Sequence, residues 1–206
     1  MTTDSSRPLR ADAVRNSEKL LRAARQIWAE QGPDAPLEEI ARRAGVGIAT
    51  LYRRFPDKAV LARNALDQSF AENIAPAIEQ AMSDDDPRRG LVNVLEATLS
   101  VAAREHNTVA AARDSGAITH EAGARPFEAL ILLAGRAQQA GLIRADLVPD
   151  DMPRIVVMLV GLLWTMEPNS DGWRRYLSLI LDALAPDAAT PLPATVPLQQ
   201  PDSRLF

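Results

Sequence analysis

The 206-residue chain has no cysteine and only two histidines. A disulfide framework, a thiolate metal site and a thiol nucleophile are therefore excluded. Glycine is scarce at 10 residues, and with an apolar fraction of 47% this fits a helical globular protein. Long hydrophobic runs are also missing. The longest apolar stretch, Ile155 to Trp164, falls well short of the roughly 20 residues a bilayer span needs. Met1–Arg15 is polar and carries Arg7, Arg10 and Arg15, so it lacks an apolar signal region. The expectation is a cytoplasmic protein with no membrane partner.

Catalytic signals are weak as well. Asp114, Ser115 and His120 lie close in sequence, but no glycine elbow surrounds the serine and no strand presents it. His106 and His120 have neither helical spacing nor acidic partners at ligand distance. Asp84, Asp85 and Asp86 precede Pro87 and read as an acidic turn capping a helix, where carboxylates belong. No enzyme activity, metal or cofactor is expected. No segment alternates with period two, and no internal repeat is present.

What the chain does have is Leu37 to Lys58, two short helices meeting at a tight turn. Leu37, Ile40, Ala41 and Ala44 give one apolar helical face. Gly45 stands where the helix must stop in a left-handed residue, and Val46 is an apolar plug. A second helix carries Ile48, Leu51, Tyr52 and Phe55 at helical spacing. This is a helix-turn-helix, whose second helix is shaped for the DNA major groove. Upstream, Leu20, Leu21, Ala24, Ile27 and Trp28 form the stripe of a bracing helix, capped by Asn16 or Ser17 and ended by Gly32. Trp28 and Phe55 read as core of this three-helix head. Asp57 is placed to cap a connecting helix from Lys58 to about Ile74, which Pro76 interrupts or ends.

The run Val46-Gly-Ile-Ala-Thr-Leu-Tyr52, then Phe55, Lys58 and Leu61, together with Leu20–Gly32, resembles the DNA-binding signature of the TetR/AcrR family of transcriptional regulators. The resemblance covers about residues 16–66. It implies an all-α fold with an N-terminal helix-turn-helix head and a C-terminal helical body for ligand binding and dimerisation. The family usually grips phosphates at the positions of Thr50, Tyr52 and Lys58, and those roles carry over. Arg54 stands where the family often has histidine and can serve as another clamp. Gly47, Ile48, Ala49 and Arg53 face the bases; only the arginine offers strong hydrogen bonding, so specificity also rests on thymine methyls and DNA shape. Arg42 and Arg43 are either further clamps or a solvated helix face. Two departures stand out: Pro36 replaces the usual threonine, and Gly47 replaces serine or threonine. Proline can open a helix at its first turn and glycine can cap one, but two phosphate-side hydroxyls are lost.

Charge divides accordingly. The net charge is −4, yet residues 1–75 hold 12 basic and 10 acidic side chains. Pro36–Arg63 alone has six basic and three acidic. Phosphate recognition needs a local basic face, not a basic protein.

The domain expectation is a flexible basic arm at 1–15, the head at 16–66, a helical effector-binding and dimerisation body at 67–185 and an extended, disordered proline-rich tail at 186–206. The arm's arginines either touch DNA or do nothing. One head covers too few base pairs for genomic selectivity, so a homodimer on a palindromic operator is expected. Asp150–Thr165 is apolar on nearly all sides and Asp171–Leu184 follows it. The family's four-helix interface implies a dimer contact through Ile155, Leu159, Leu163, Trp173, Leu177, Ile180, Leu181 and Leu184. A small apolar or aromatic effector is expected among Leu95, Leu99, Leu130, Leu133, Met158, Leu162 and Trp164, with Arg104, Arg113 or His120 as polar anchors. Each of these is individually a core candidate too. Effector binding would weaken DNA binding through linkage. Repression is the family's usual outcome; activation, or a protein partner in place of the effector, stays open.

Overall fold

In the computed structural model, which describes residues 6–117, 124–187 and 190–196, every regular element among the described residues is a helix. In chain order these are α1 (Ser6–Gln31), α2 (Leu37–Ala44), α3 (Ile48–Arg54), α4 (Lys58–Asn73), α5 (Ala75–Met82), α6 (Pro87–Arg104), α7 (His106–Asp114), α8 (Ala124–Gln139), α9 (Asp151–Leu163) and α10 (Trp173–Ala183). The chain divides into two compact units. The first comprises the residues up to Gln68 together with Asn107–Ala117; the second comprises Ser69–His106 and the described residues from Ala124 onward.

The first unit differs from the sequence expectation at both ends. Helix α1 already runs from Ser6, so residues 6–15 are not an unstructured arm, and Asn16 and Ser17 lie inside a helix instead of capping one. Nothing between Arg10 and Ser17 breaks a helix, and Pro8 sits in the first turn, where its missing N–H costs nothing. The body also begins later than residue 67, and α7 contributes to the head. Ala111, Ala112 and Ala117 join the core formed by Leu20, Ala24, Ile27, Trp28, Ile40, Leu51, Phe55, Leu61 and Ala65. The Asn107 side-chain amide donates to the Trp28 carbonyl at 2.9 Å.

The second unit is built around α6. Its N-terminus is fixed by Asp86, whose carboxylate accepts from the backbone N–H of Arg88 and Arg89. The expected capping turn is thus seen directly, and Pro87 fills the first helical position. Asp84 meanwhile pairs with Arg89, which holds its carboxyl below the usual range. Leu91, Val94, Leu95 and Leu99 form the buried face of α6 against α5, α8, α9 and α10. Pro76 opens α5 in its first turn, so the interruption expected there is a helix start. Helix α8 ends as Gly141 enters the left-handed region at φ +68°, with Leu142 N–H returning to the Ala137 carbonyl at 2.9 Å.

Two expectations about the body are corrected. Ile155, Leu159, Leu163, Trp173, Leu177 and Leu184, placed in a dimer contact, are buried in this chain's own core. Ile180 and Leu181 are half-buried against the same core. The 3.6-residue period puts these side chains on the faces of α9 and α10 that meet α6 and each other. Nor is α9 buried on every side, since Met158 is 58% exposed. The described part of the tail is not free either. The Thr190 carbonyl accepts from Arg144, the Leu192 N–H donates to Asp146, and the Val196 carbonyl accepts from Arg154. Each proline removes one N–H donor but keeps its carbonyl, so arginine can reach acceptors along the segment while Leu192 still donates.

Gly90 lies where α6 passes close to α5 and α8. A Cβ there would lie 3.0 Å from the Ala81 backbone carbonyl and 3.2 Å from a Leu133 methyl. Alanine should gain about 1 kcal/mol in helix propensity but lose about 1–3 kcal/mol to overpacking against a rigid carbonyl. Gly90→Ala is therefore expected to lower the melting temperature; a rise would mean α5 gives way more readily than its contacts suggest.

Candidate nucleic-acid interface

The turn between α2 and α3 is set by backbone chemistry. Gly45 adopts φ 70°, ψ 31°, a left-handed conformation that glycine takes without a Cβ penalty. The Val46 N–H bonds the Ala41 carbonyl at 3.0 Å and the Gly45 N–H bonds Arg42 at 3.1 Å, which is the Schellman closure. The chain then re-enters a helix at Gly47, extended at φ −70°, ψ 146°, whose carbonyl accepts from the Thr50 and Leu51 N–H groups. Pro36 occupies the corresponding position before α2, at φ −63°, ψ 141° and with no side-chain cap. It therefore precedes the helix and does not form its first turn.

On α3, Leu51 is fully buried, the following Phe55 nearly so, and Ile48 partly covered. That anchors one face of the helix and leaves Ala49, Tyr52 and Arg53 exposed with Thr50 half-exposed. The outward set is the one expected to face DNA, so the structure brings Gly47, Ala49, Thr50, Tyr52 and Arg53 onto one solvent side. Arg53 donates to the Thr50 hydroxyl at 3.3 Å. Ile48 belongs to the inner rather than the base-facing side. Arg54 also departs from expectation: its Nε donates to the Ser17 hydroxyl of α1 at 2.6 Å, so it ties α3 to α1 while its terminal nitrogens stay near the surface. Asp57 accepts from the Val60 N–H at 2.8 Å and caps α4 as expected.

The remaining cations are paired within the head. Arg43 meets Glu30 through two hydrogen bonds of 2.9 and 2.6 Å. Arg42 meets Glu39 one turn earlier, and the Lys58 ammonium lies 3.1 Å from Asp34. The guanidinium hydrogen bonds hold the Glu30 and Glu39 carboxyls below their ordinary values and raise Arg43 and Arg42. Glu39 three residues before Arg42 was visible as a helical pair. The Glu30 and Asp34 contacts join elements that the sequence shows only as neighbours in order.

The residues expected to hold an effector are dispersed. Leu95, Leu99, Leu130 and Leu133 come together as closed core of the second unit, whereas Met158 points outward. Leu162 and Trp164 are half-buried, and the Trp164 ring lies 4.3 Å from His106 in a tilted stack. Arg104 bonds Asn73 at 2.9 Å. Arg113 pairs with Asp114 and belongs to the first unit. His120 lies outside the described residues. Among those residues no His, Asp or Glu cluster suits a metal ion, and no helix is long and apolar enough to cross a membrane.

The family described as Bacterial regulatory proteins, tetR family, matches residues 20–65, the same helices that build this head. Residues 20–65 thus form a helix-turn-helix head of the TetR type. An uncharacterized HTH-type transcriptional regulator of Mycobacterium tuberculosis is 36% identical over 87 residues, 42% of this chain and 44% of that protein. The match thus spans less than half the length of that curated relative. The solved TetR regulator from Streptomyces coelicolor is 29% identical, with a TM-score of 0.59 over 82% of this chain and 98% of that one. The regulator FadR from Bacillus subtilis, solved in complex with stearoyl-CoA, shares the fold at a TM-score of 0.65 and 18% identity, over 82% of this chain and 97% of that one. In that setting α2 and α3 form a helix-turn-helix, and the outward face of α3 is the candidate DNA-binding surface.

Gly47 needs no glycine. Its φ is negative, and a Cβ there meets nothing within 4 Å. Gly47→Ser should supply the missing side-chain cap and stabilise the head by a few tenths of a kcal/mol, read as a small rise in melting temperature. A fall would show that the turn is more crowded than the backbone indicates.

Proposed function

We propose that this protein is a homodimeric repressor of the TetR family that reads a palindromic operator through α3 and leaves it when a small apolar or aromatic ligand binds. The observation that carries the DNA part is the division of α3 into a buried face of Leu51 and an open face of Thr50, Tyr52 and Arg53. A rigidly seated inner face lets the outer one keep a fixed register against base edges. Arg53 is assigned to a base and Thr50, Tyr52 and Lys58 to phosphates. Arg42, Arg43 and the terminal nitrogens of Arg54 add to the phosphate set. Gly47 and Ala49 permit close backbone approach, and Ile48 supports the helix from behind.

For the dimer, the outward faces of α9 and α10 replace the residues expected from sequence. Met158 is 58% exposed, Leu179 55% and Tyr176 40%. Large apolar side chains left open on neighbouring helices mark association surfaces, and two-fold homodimers are the commonest solution. For the effector we infer a site in the second unit bordered by the Leu95, Leu99, Leu130 and Leu133 core and by Leu162, Trp164 and His106. The Bacillus regulator FadR, which shares the fold, was solved in complex with stearoyl-CoA, and this supports an apolar ligand. Binding there would favour a conformation with heads wrongly spaced for two half-sites.

Selection of bound sequences from random duplex DNA tests the reading. A palindrome with two half-sites supports it; recovery of no motif, with only salt-sensitive weak binding, would overturn it. Lys58→Ala should weaken binding alike on all sequences and reduce the salt slope by about one, whereas Arg53→Ala should relax preference at one base pair. Exchange of those two phenotypes would reverse the assignments. Leu179→Asp should shift the protein to monomers in sedimentation and abolish binding to a two-half-site duplex. A dimer that persists would place the contact elsewhere.

A further inference from the structure

Three of the cations assigned to phosphates are already occupied by carboxylates of the same head. Arg43 holds Glu30 by two hydrogen bonds, Arg42 holds Glu39, and Lys58 holds Asp34. Arg53, the base-reading candidate, instead donates to a hydroxyl. A phosphate oxygen and a carboxylate oxygen use the same N–H donors in the same geometry. DNA must therefore displace these acids or approach against their charge.

Structural stabilisation does not account for the Asp34 pair well. Its side chain is 91% exposed, sits in the α1–α2 loop, and exposed ion pairs contribute little to folding. Because it is solvated and loop-borne, it can swing away from Lys58 without disturbing the core. Glu30 and Glu39 are also at the surface, with side chains 53% and 34% exposed.

We propose that Asp34, together with Glu30 and Glu39, is an internal competitor for the phosphate-binding cations and thereby determines specificity. The inference rests on the DNA-binding reading above. Phosphate contacts supply essentially all sequence-independent affinity. Occupying those cations internally lowers affinity for bulk DNA, so that lasting occupancy depends on the base contacts of α3. Salt acts on both sides of the exchange. It weakens the phosphate contact, but it also weakens the competing Lys58–Asp34 pair, which partly offsets the loss. Removing the competitor removes the offset.

The test measures affinity of the full chain for a labelled random-sequence duplex across a salt series. Asp34→Asn should bind about three- to five-fold more tightly at low salt, the worth of one exposed ion pair, and its affinity should fall more steeply with salt. The gain should vanish in Asp34→Asn/Lys58→Ala, measured against Lys58→Ala alone. Asp171→Asn, which removes one exposed charge in the second unit, should bind as the unsubstituted protein does. Thermal melts verify that each variant is folded. An equal gain from Asp171→Asn, or one that persists without Lys58, would make the effect general charge and overturn the proposal. Unchanged or weaker binding by Asp34→Asn would show that Asp34 positions Lys58 rather than competing for it. Absence of any duplex affinity in the unsubstituted protein at low salt would instead overturn the DNA-binding reading itself, a separate and recognisable failure.

Discussion

Burial of Leu51 and Phe55 against α1 and α2 is the constraint on which the head depends. Helix α3 has only seven residues, far below the length at which an isolated helix holds in water. It persists because its inner face joins the buried cluster that includes Leu20, Trp28 and Ile40, and because the Gly47 carbonyl accepts the first hydrogen bonds of its first turn. The same burial fixes its rotation. Once Leu51 points inward, the 3.6-residue period leaves Tyr52 and Arg53 no choice but to face solvent. The proposed recognition surface is thus a consequence of core packing, and the Arg54–Ser17 hydrogen bond adds a polar tie between α3 and α1.

The second unit repeats the logic with a different result. Helices α9 and α10 place Leu159, Leu163, Trp173 and Leu177 inside and leave Met158, Tyr176 and Leu179 outside. A helix rich in apolar residues on all sides need not be covered by its own chain on all sides. The surplus is what makes an exposed face available to another copy, and it is why the dimer contact is proposed on residues other than those the periodicity favours.

Electrostatics in the head is arranged in short internal pairs, not as a bare basic patch. The local excess of positive charge between Pro36 and Arg63 is real, but Glu30, Asp34 and Glu39 meet its cations directly. Such pairs are weak at a solvated surface, so they matter less for holding the fold than for what a competing anion encounters. Net charge counted along the sequence does not reveal this, because the count ignores which acid reaches which base.

The sequence by itself determined the local features. The Gly45 stop and the Asp57 and Asp86 caps rest on hydrogen bonds spanning six residues or fewer, and the α2 and α3 stripes are patterns within single short helices, so the residues that form them are readable side by side. The likeness of residues 20–65 to the TetR family was legible for the same reason, since its signature is this local helix-turn-helix. Tertiary structure decided the rest. Only folding showed that the alanines of α7 join the head, that Ser17 serves Arg54 instead of capping a helix, and that Asp34 and Glu30 reach Lys58 and Arg43. It also decided which apolar face of α9 and α10 is core and which is open. Helical periodicity says that two faces exist; only the partner that arrives from elsewhere in the chain says which of them is covered.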